Sequence, residues 1–483
     1  MTNPQNVLVL MSDEHSRKIL GCNGNPWVKT PNLDALAARG INFRNAYCNS
    51  PVCVPARAAF ATGQYLNRMG YWDNADPYDG EVTSWHHRLR QAGHQVISIG
   101  KLHFRSEADD YGFTESKVPM HVIDGKGDLM GLIREGLPRR GGAWKMAQLA
   151  GPGESSYTTY DRNITTLAQT WLHEEAPKHR NKYQDKPWVL FVSMVVPHFP
   201  LTAPSEHFYR YYNDETLPWP KLYDQTQRPD HPFLSDYRGS FVYDEFFKST
   251  DCIRRAVAGY YGLVSFLDEN LGKVLQALED TGLSQHTRVI YTSDHGDNLG
   301  ARGLWGKSTF YEESAGVPAI MAGPGVPKGE IVETPVTHVD FYYQTILHVA
   351  GVELNESDKK LPGISLDVIA EAQDSHRIAF CEYHAMGSTT GAFMVSDARY
   401  KYVFYIGYPV QFFDLGAEPD PINAELIKYF HSRLEEICDP YAVNARAKIR
   451  QAQQLDANGG REKVIERGDL GFSTPPGVRV DFN

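Results

Sequence analysis

Five short runs of almost unbroken apolar character constrain this chain more than any other feature: residues 7–11, 96–99, 189–196, 288–292 and 317–321. Each is short for a helix and lacks the alternation of a strand with one wet face. Each therefore predicts a strand buried on both sides. Helical patterns lie between them. Thr30 followed by Pro31 marks a capped helix start, and Gly40 its stop. The clearest helix covers residues 251–281. Its apolar residues Val257, Tyr260, Val264, Leu267, Leu271, Val274 and Leu278 recur every three or four positions, and Gly282 follows it. Strands alternating with helices predict an α/β fold: a large, mostly parallel sheet with helices on both faces.

Residues 105–160 and 205–248 are rich in Gly, Pro, Tyr and charge and show little period. They read as long loops over an active face. The pattern changes near residue 375. Residues 393–407 alternate like antiparallel strands, 411–415 read as an edge turn, and helical pattern covers 421–457. We expect a catalytic α/β domain over 1–374 and a small α+β domain over 375–483. The last residues, 471–483, carry no core pattern and read as an arm. Such an arm is expected to pack on a neighbouring copy in a homo-oligomer.

With 42% hydrophobic and 12% aromatic residues, the chain can bury a sizeable core. Its net charge is 48 − 59 = −11, which argues against a nucleic-acid binder with a broad basic surface. A local cationic pocket for a small anion is compatible with that charge. The N-terminus has no basic segment, and its apolar run at 7–11 is too short for a signal peptide. No stretch has the length of a membrane span, and the six cysteines form no CxxC pair. The expectation is a cytoplasmic protein with reduced thiols and no membrane partner.

The residues after the strands carry chemistry. The first run leads to Asp13 and Glu14, the second to Lys101 and His103, the third to His198, and the fourth to Asp294 and His295. Ligands of open α/β sheets bind beyond the carboxyl ends of the strands. Four strand ends carrying titratable groups therefore predict one site. Asp13, Glu14, Asp294 and His295 suit a divalent cation. A lone acidic pair is often a helix cap, so the argument rests on the two pairs together.

The sharpest local feature is Cys53-Val54-Pro55-Ala56-Arg57, continuing to Thr62-Gly63. Pro55 fits a first helical turn and Gly63 a stop, which puts Cys53 at a helix N-terminus that favours an anion. Arg57 lies one turn on. Taken alone, Cys53 fits equally a thiol packed under a helix. A metal-free hydrolase using Cys53 and His198, and a binding protein without turnover, stay open on these residues.

The chain resembles the sulfatases of the alkaline phosphatase superfamily. The resemblance rests on C-x-P-x-R-x-x-x-x-T-G at residues 53–63, joined by TPNLDALAARGINF at 30–43, GKLH at 100–103 and PHFP at 197–200. SDHGDNLG at 293–300, WGKSTFYEE at 305–313 and FFDL at 412–415 follow in the family's order. The resemblance implies that Cys53 is converted to formylglycine by a formylglycine-generating enzyme, and that the aldehyde hydrate is the nucleophile. It implies one divalent ion, held by Asp13, Asp294, His295 and the side chain at 53. Arg57 would orient the hydrate, and Lys101 and Lys307 would clamp sulfate oxygens. His103 would be the base for collapse of the sulfated hydrate, and His198 or Lys307 the acid for the leaving oxygen. Asn74, in the sequence WDNA, would hydrogen-bond the substrate.

Two departures from the family pattern matter. Asp13-Glu14 stands where many sulfatases have two aspartates, and Asp294-His295 where many have Asp-Asn. The second form is similar to the choline-sulfatase and phosphonate monoester hydrolase branches. An imidazole suits manganese or zinc better than calcium. The expected activity is hydrolysis of a small anionic ester: a sulfate monoester first, with phosphonate monoesters or phosphodiesters as slower, promiscuous substrates or as the main alternative.

Overall fold

A computed structural model describes residues 4–182, 186–416, 423–480 and 482. Its centre is an eight-stranded sheet. In chain order the strands are β1 (Asn6–Asp13), β2 (Gly40–Phe43), β3 (Val96–Lys101), β4 (Glu115–Met120), β5 (Val189–Pro197), β6 (Thr287–Ser293), β7 (Ala319–Ala322) and β8 (Glu330–Val332). Across the sheet they run β8-β2-β7-β6-β1-β5-β3-β4. The stretch from β6 to β4 is parallel, and β7 runs antiparallel to both β6 and β2.

The apolar runs explain the middle of the sheet. Residues 7–11 are fully buried, in register with Val189–Ser193 on one side and Arg288–Thr292 on the other. A strand flanked and covered in this way has no polar face, which is why its sequence does not alternate. The expected strand at 317–321 forms two residues later, as Ala319–Ala322.

The helices include α1 (Pro31–Ala38), α2 (Cys53–Thr62), α3 (Ser156–Glu174), α4 (Ser205–Tyr212), α5 (Pro232–Phe241) and α6 (Thr250–Asp280). Helix α6 matches the periodic pattern, with Ser249 Oγ accepting from Cys252 N at its start and Gly282 at φ 68° just beyond it. The cap of α1 differs from the sequence reading. Thr30 makes no capping bond; Asp268 of α6 accepts from Asn32 N and Leu33 N instead. Gly40 opens β2 rather than ending α1, because a Cβ there would stand 2.2 Å from Met321 O.

The two segments expected as loops are more ordered than their composition suggests. The first contains edge strand β4, and the second contains α4 and α5. A second sheet follows, of antiparallel strands β9 (Ala379–Tyr383), β10 (Ala392–Ser396), β11 (Tyr400–Tyr405) and β12 (Gln411–Asp414). The expected edge turn at 411–415 is thus a paired strand. Alternation puts Cys381, Met394 and Val403 in the main core, while Phe380, Phe393 and Tyr402 pack on Phe430 and Leu434. The helical pattern divides into α7 (Ala424–Ile437) and α8 (Pro440–Ala457), the second capped by Asp439. Its expected start at 421–422 lies outside the described residues.

Part of the C-terminal segment packs on its own chain. Helix α9 (Gly460–Arg467) buries Val464 against Leu129, Met130, Leu132 and Ile133 of the same chain. Residues 470–473 then line the active face of their own chain. The terminal residues 481 and 483 lie outside the described residues. Among the described residues no helix is long and apolar enough to cross a membrane.

Candidate active site

Cys53 is the first residue of α2, whose ten residues are all buried. Small side chains (Ala56, Ala58, Ala59, Ala61) let this helix sit against the sheet, and Gly63 ends it at φ 67°. Asn74 Oδ1 accepts from Val54 N at 3.1 Å, satisfying one of the open amides at the helix start. Asn74 therefore has a structural bond as well as a place in the cavity wall.

The strand ends converge on Cys53. Its Sγ lies 3.1 Å from His295 Nε2 and 3.8 Å from Asp13 Oδ1. Donor atoms of Asp13, Cys53, Asp294 and His295 all lie within 4.8 Å of one another, and all four residues are buried. His295 Nδ1 donates to Gly296 O at 3.0 Å, which leaves the Nε2 lone pair facing the group. Two carboxylates, an imidazole and a fourth side chain in this space fit one divalent ion. When bound, such an ion would polarise the oxygens of an anion seated beside residue 53.

Arg57 lies beneath this group and does not line the cavity. Its Nε donates to Asp294 Oδ2 at 2.8 Å and its Nη2 to Asp13 Oδ2 at 3.1 Å, while Nη1 donates to Ser193 Oγ and Lys101 O. It fixes both carboxylates. Lys101 Nζ also pairs with Asp13. Burial alone would raise the Asp13 carboxyl, but the cations Lys101, Arg57 and Lys307 overcome that and hold it well below the usual range. Asp13 is therefore ionised, as a metal ligand must be.

Glu14 lies outside that group of four but forms a second one with Asp13 and His198, whose ligand atoms also lie within 4.8 Å of one another. Its Oε2 lies 3.2 Å from Lys307 Nζ and 3.3 Å from His198 Nε2. Burial pushes its carboxyl well up, with Lys307 opposing and Asp297 adding to the rise. Glu14, at φ 71°, and His103, at φ 59°, both occupy the left-handed region. Strain of this kind is common where strand ends present functional groups. Tyr260 of α6 pins the first of these turns, donating to Glu14 O at 2.6 Å and accepting from Ser16 N at 2.9 Å.

Lys307 Nζ donates to His198 Nε2 at 2.6 Å, and His198 Nδ1 bonds Phe199 O at 2.7 Å. Nε2 accepts, so Nδ1 carries the proton and the ring is neutral. Burial, then Lys307, holds the His198 imidazole well below its ordinary range. Lys307 stays charged because Cys53, Glu14 and Asp13 outweigh the effect of burial. The mobile proton of this pair therefore sits on Lys307. His103 is likewise held neutral by burial and by Lys101, and its Nε2 lies 2.9 Å from Ser473 Oγ.

These groups face a cavity of about 70 Å3 lined by Cys53, Asn74, Lys101, His103, His198 and Lys307. Asp13, Asp294 and His295 stand beside Cys53. The cavity also takes in Asp128, Arg140 and Met146 from the first irregular segment and Tyr237, Phe241 and Tyr243 from the second, which accords with their reading as cover over the active face. Leu470, Gly471, Phe472 and Ser473 complete it. Sequence reasoning missed these four, since a single apolar pair in a Gly/Pro-rich tail has no period to reveal it.

Comparison with known proteins agrees with the geometry. A choline-sulfatase of Rhizobium meliloti (strain 1021) is 31% identical over 423 residues, covering 86% of this chain and 81% of its own. An arylsulfatase K of Danio rerio is 30% identical over 447 residues, covering 86% and 79%. The solved phosphonate monoester hydrolase of Agrobacterium radiobacter shares the fold, with a TM-score of 0.70 at 22% identity over 92% of this chain and 96% of its own. The C-terminal model of N-sulphoglucosamine sulphohydrolase matches residues 300–439. The sulfatase model matches residues 5–352, and the chain belongs to the sulfatase family.

Proposed function

We propose that this chain hydrolyses sulfate monoesters with Cys53 carried as formylglycine, one divalent ion at Asp13, Asp294, His295 and residue 53, and Lys101 and Lys307 holding the sulfate. The observation that carries this reading is the buried group of four donors beside two lysines at the floor of one cavity. The imidazole donor favours manganese or zinc over calcium. When Cys53 is so modified, its hydrate supplies the nucleophile and releases sulfate by reforming the aldehyde.

The chain's own residues do the rest. Lys101 and Lys307 neutralise charge on the non-bridging oxygens. Lys307, with neutral His198 at its Nζ, carries the proton for the leaving oxygen. His103, neutral and at the cavity wall, takes the proton released when the aldehyde reforms. A thiol at 53 fits catalysis poorly, because burial and then Asp13 push it up to about 11. That argues against a metal-free cysteine hydrolase.

A second reading, a phosphonate monoester or phosphodiester hydrolase, draws on the Asp294-His295 pair. These esters carry one negative charge, as a sulfate monoester does, so slower cross-reaction is part of the proposal. The proposal extends to a catalytic unit over 1–374, maturation by a formylglycine-generating enzyme, and a reducing, cytoplasmic setting consistent with six unpaired cysteines. It includes a homo-oligomeric assembly.

The test compares kcat/KM for an aryl sulfate and a matched aryl phosphonate on one batch of metal-loaded enzyme, with residue 53 read by peptide mass spectrometry. The sulfate should win. A phosphonate preference above about a hundredfold, roughly 2.7 kcal/mol of transition-state energy, would hand the function to the second reading. Activity with only intact thiol at 53 would defeat the formylglycine mechanism.

A further inference from the structure

The turn that meets the start of α2 is held from the far end of the chain. Asn74 Oδ1 accepts from Val54 N, and only an oxygen can accept there, so the amide has one orientation. Its NH2 is the end left over. Asn74 is half-buried and lines the cavity beside Cys53, Lys101 and Lys307. That NH2 is therefore a neutral donor in the wall of a cationic pocket, and its worth to an anion depends on how exactly it is placed.

The residues on either side of Asn74 do the placing. Asp73 is fully buried, and its Oδ1 accepts from Ala75 N at 2.7 Å, closing a turn around Asn74. Asp73 O accepts from Asp76 N at 3.1 Å, which closes the same turn a second time. Burial, then Asp76, pushes the Asp73 carboxyl up to about 7, and Gln451 is first among the groups opposing that rise.

Gln451 belongs to α8 of the small domain, 378 positions from Asp73 in sequence. Its Nε2 donates to Asp73 Oδ2 at 2.5 Å and to His384 O at 2.6 Å, while its Oε1 accepts from Arg134 Nη1 at 3.3 Å. Both ends of this buried amide are thus in use. One helical turn along, Gln454 Nε2 donates to Asp76 Oδ1 at 2.7 Å, and Arg450 Nη2 reaches the same oxygen at 3.2 Å. Residues 450, 451 and 454 share a face of α8, so one helix grips both aspartates that bracket Asn74. Ala75, between them, packs in an apolar cluster with Val464 of α9, against which Leu455 of α8 lies.

We propose that Gln451 is a positioning residue for the Asn74 amide, so that α8 of the small C-terminal domain sets one donor of the anion pocket and the unit over 1–374 depends on it. The proposal rests on the reading above only in taking the cavity to hold a tetrahedral anion. Calorimetry on the full chain with its Cys53 thiol and with manganese present measures the binding of inorganic sulfate and of methylphosphonate. Gln451→Leu should weaken the anion that the parent binds at least about fivefold, the scale of one hydrogen bond to a charged group. Asn74→Ala should weaken it by a similar factor. The double variant should lose no more than either alone, because both changes remove the same donor. A merely structural role for Gln451 would lower the melting temperature, leave affinity well below the transition unchanged, and add to Asn74→Ala. Gln454→Met keeps Gln451 and serves if Gln451→Leu does not fold by circular dichroism; it should weaken binding at least about twofold, with the same lack of additivity. Unchanged affinity in the folded variants, additive losses, or a parent that binds neither anion overturns the proposal. Failure of the sulfatase reading shows separately, as a formylglycine-bearing enzyme that binds an anion yet does not turn over 4-nitrophenyl sulfate.

Discussion

Arg57 holds two carboxylates that would otherwise face each other in the dry base of the site, one in Asp13 and one in Asp294. Desolvation opposes its charge, but the two aspartates more than restore it. Its value is largely the penalty avoided, because removing one partner from a buried ion pair costs about 3–5 kcal/mol. Arg57→Met should therefore lower the melting temperature as well as abolish turnover. Thermal denaturation checks this, and a variant that melts with the parent would show that the carboxylates find another counter-charge. Cys53 differs: its Sγ faces the polar side chains of Asp13 and His295, so truncating it should affect chemistry far more than stability.

Between the residues and the site stand the elements that aim them, and β5 shows how. It must end abruptly and send His198 into the cavity. Asp161 of α3 accepts from Val195 N and Val196 N, each at 2.9 Å, and so terminates the ladder from outside the sheet. Burial pushes its carboxyl up to about 7, against the pull of those amides. The folded-state value thus exceeds the ordinary 3.8. Between about pH 4 and pH 7 the folded chain holds a proton that the unfolded chain has lost, so this group makes stability fall as pH rises across that window. Asp161→Asn keeps an acceptor and removes the titration, and should flatten the pH dependence of chemical denaturation there. An unchanged slope would mean that Asp161 does not titrate in that range. Asp161→Ala strands both amides and should cost roughly 2–4 kcal/mol, with a loss of kcat as His198 loses its support.

At the scale of the whole molecule, the chain's last described segment closes over a site built from its first strand. Removing residues 469–483 would take away Asp469, Phe472 and Ser473 together. Arg140 would keep Asp128 alone, and Tyr157 would lose the Ser473 carbonyl that its hydroxyl bonds. The truncated enzyme should melt earlier and show a raised KM, with its number of subunits by light scattering unchanged, because these contacts lie within one chain. Parent-like stability and kinetics, or a loss of subunits, would contradict that arrangement.

The sequence by itself determined the parallel sheet, the long helix, the helix that opens at Cys53 and the floor of the site. Each is written in a local code: unbroken apolar runs, a three-to-four period, a Cys-x-Pro-x-Arg turn, and titratable residues directly after strands. Only the tertiary structure decided what no local pattern encodes. The cap of α1 comes from Asp268, more than two hundred residues away, because a carboxylate caps whichever open amides lie beside it in space. Glu14 turns to Lys307 and His198 because a buried carboxyl follows the nearest cation, and sequence adjacency to Asp13 does not say which that is. The tail seats itself in its own active face because Asp469 meets a buried guanidinium and Phe472 two aromatic edges. Those partners are assembled only when distant segments have folded, so a sequence window of any one of them carries no sign of the wall they form together.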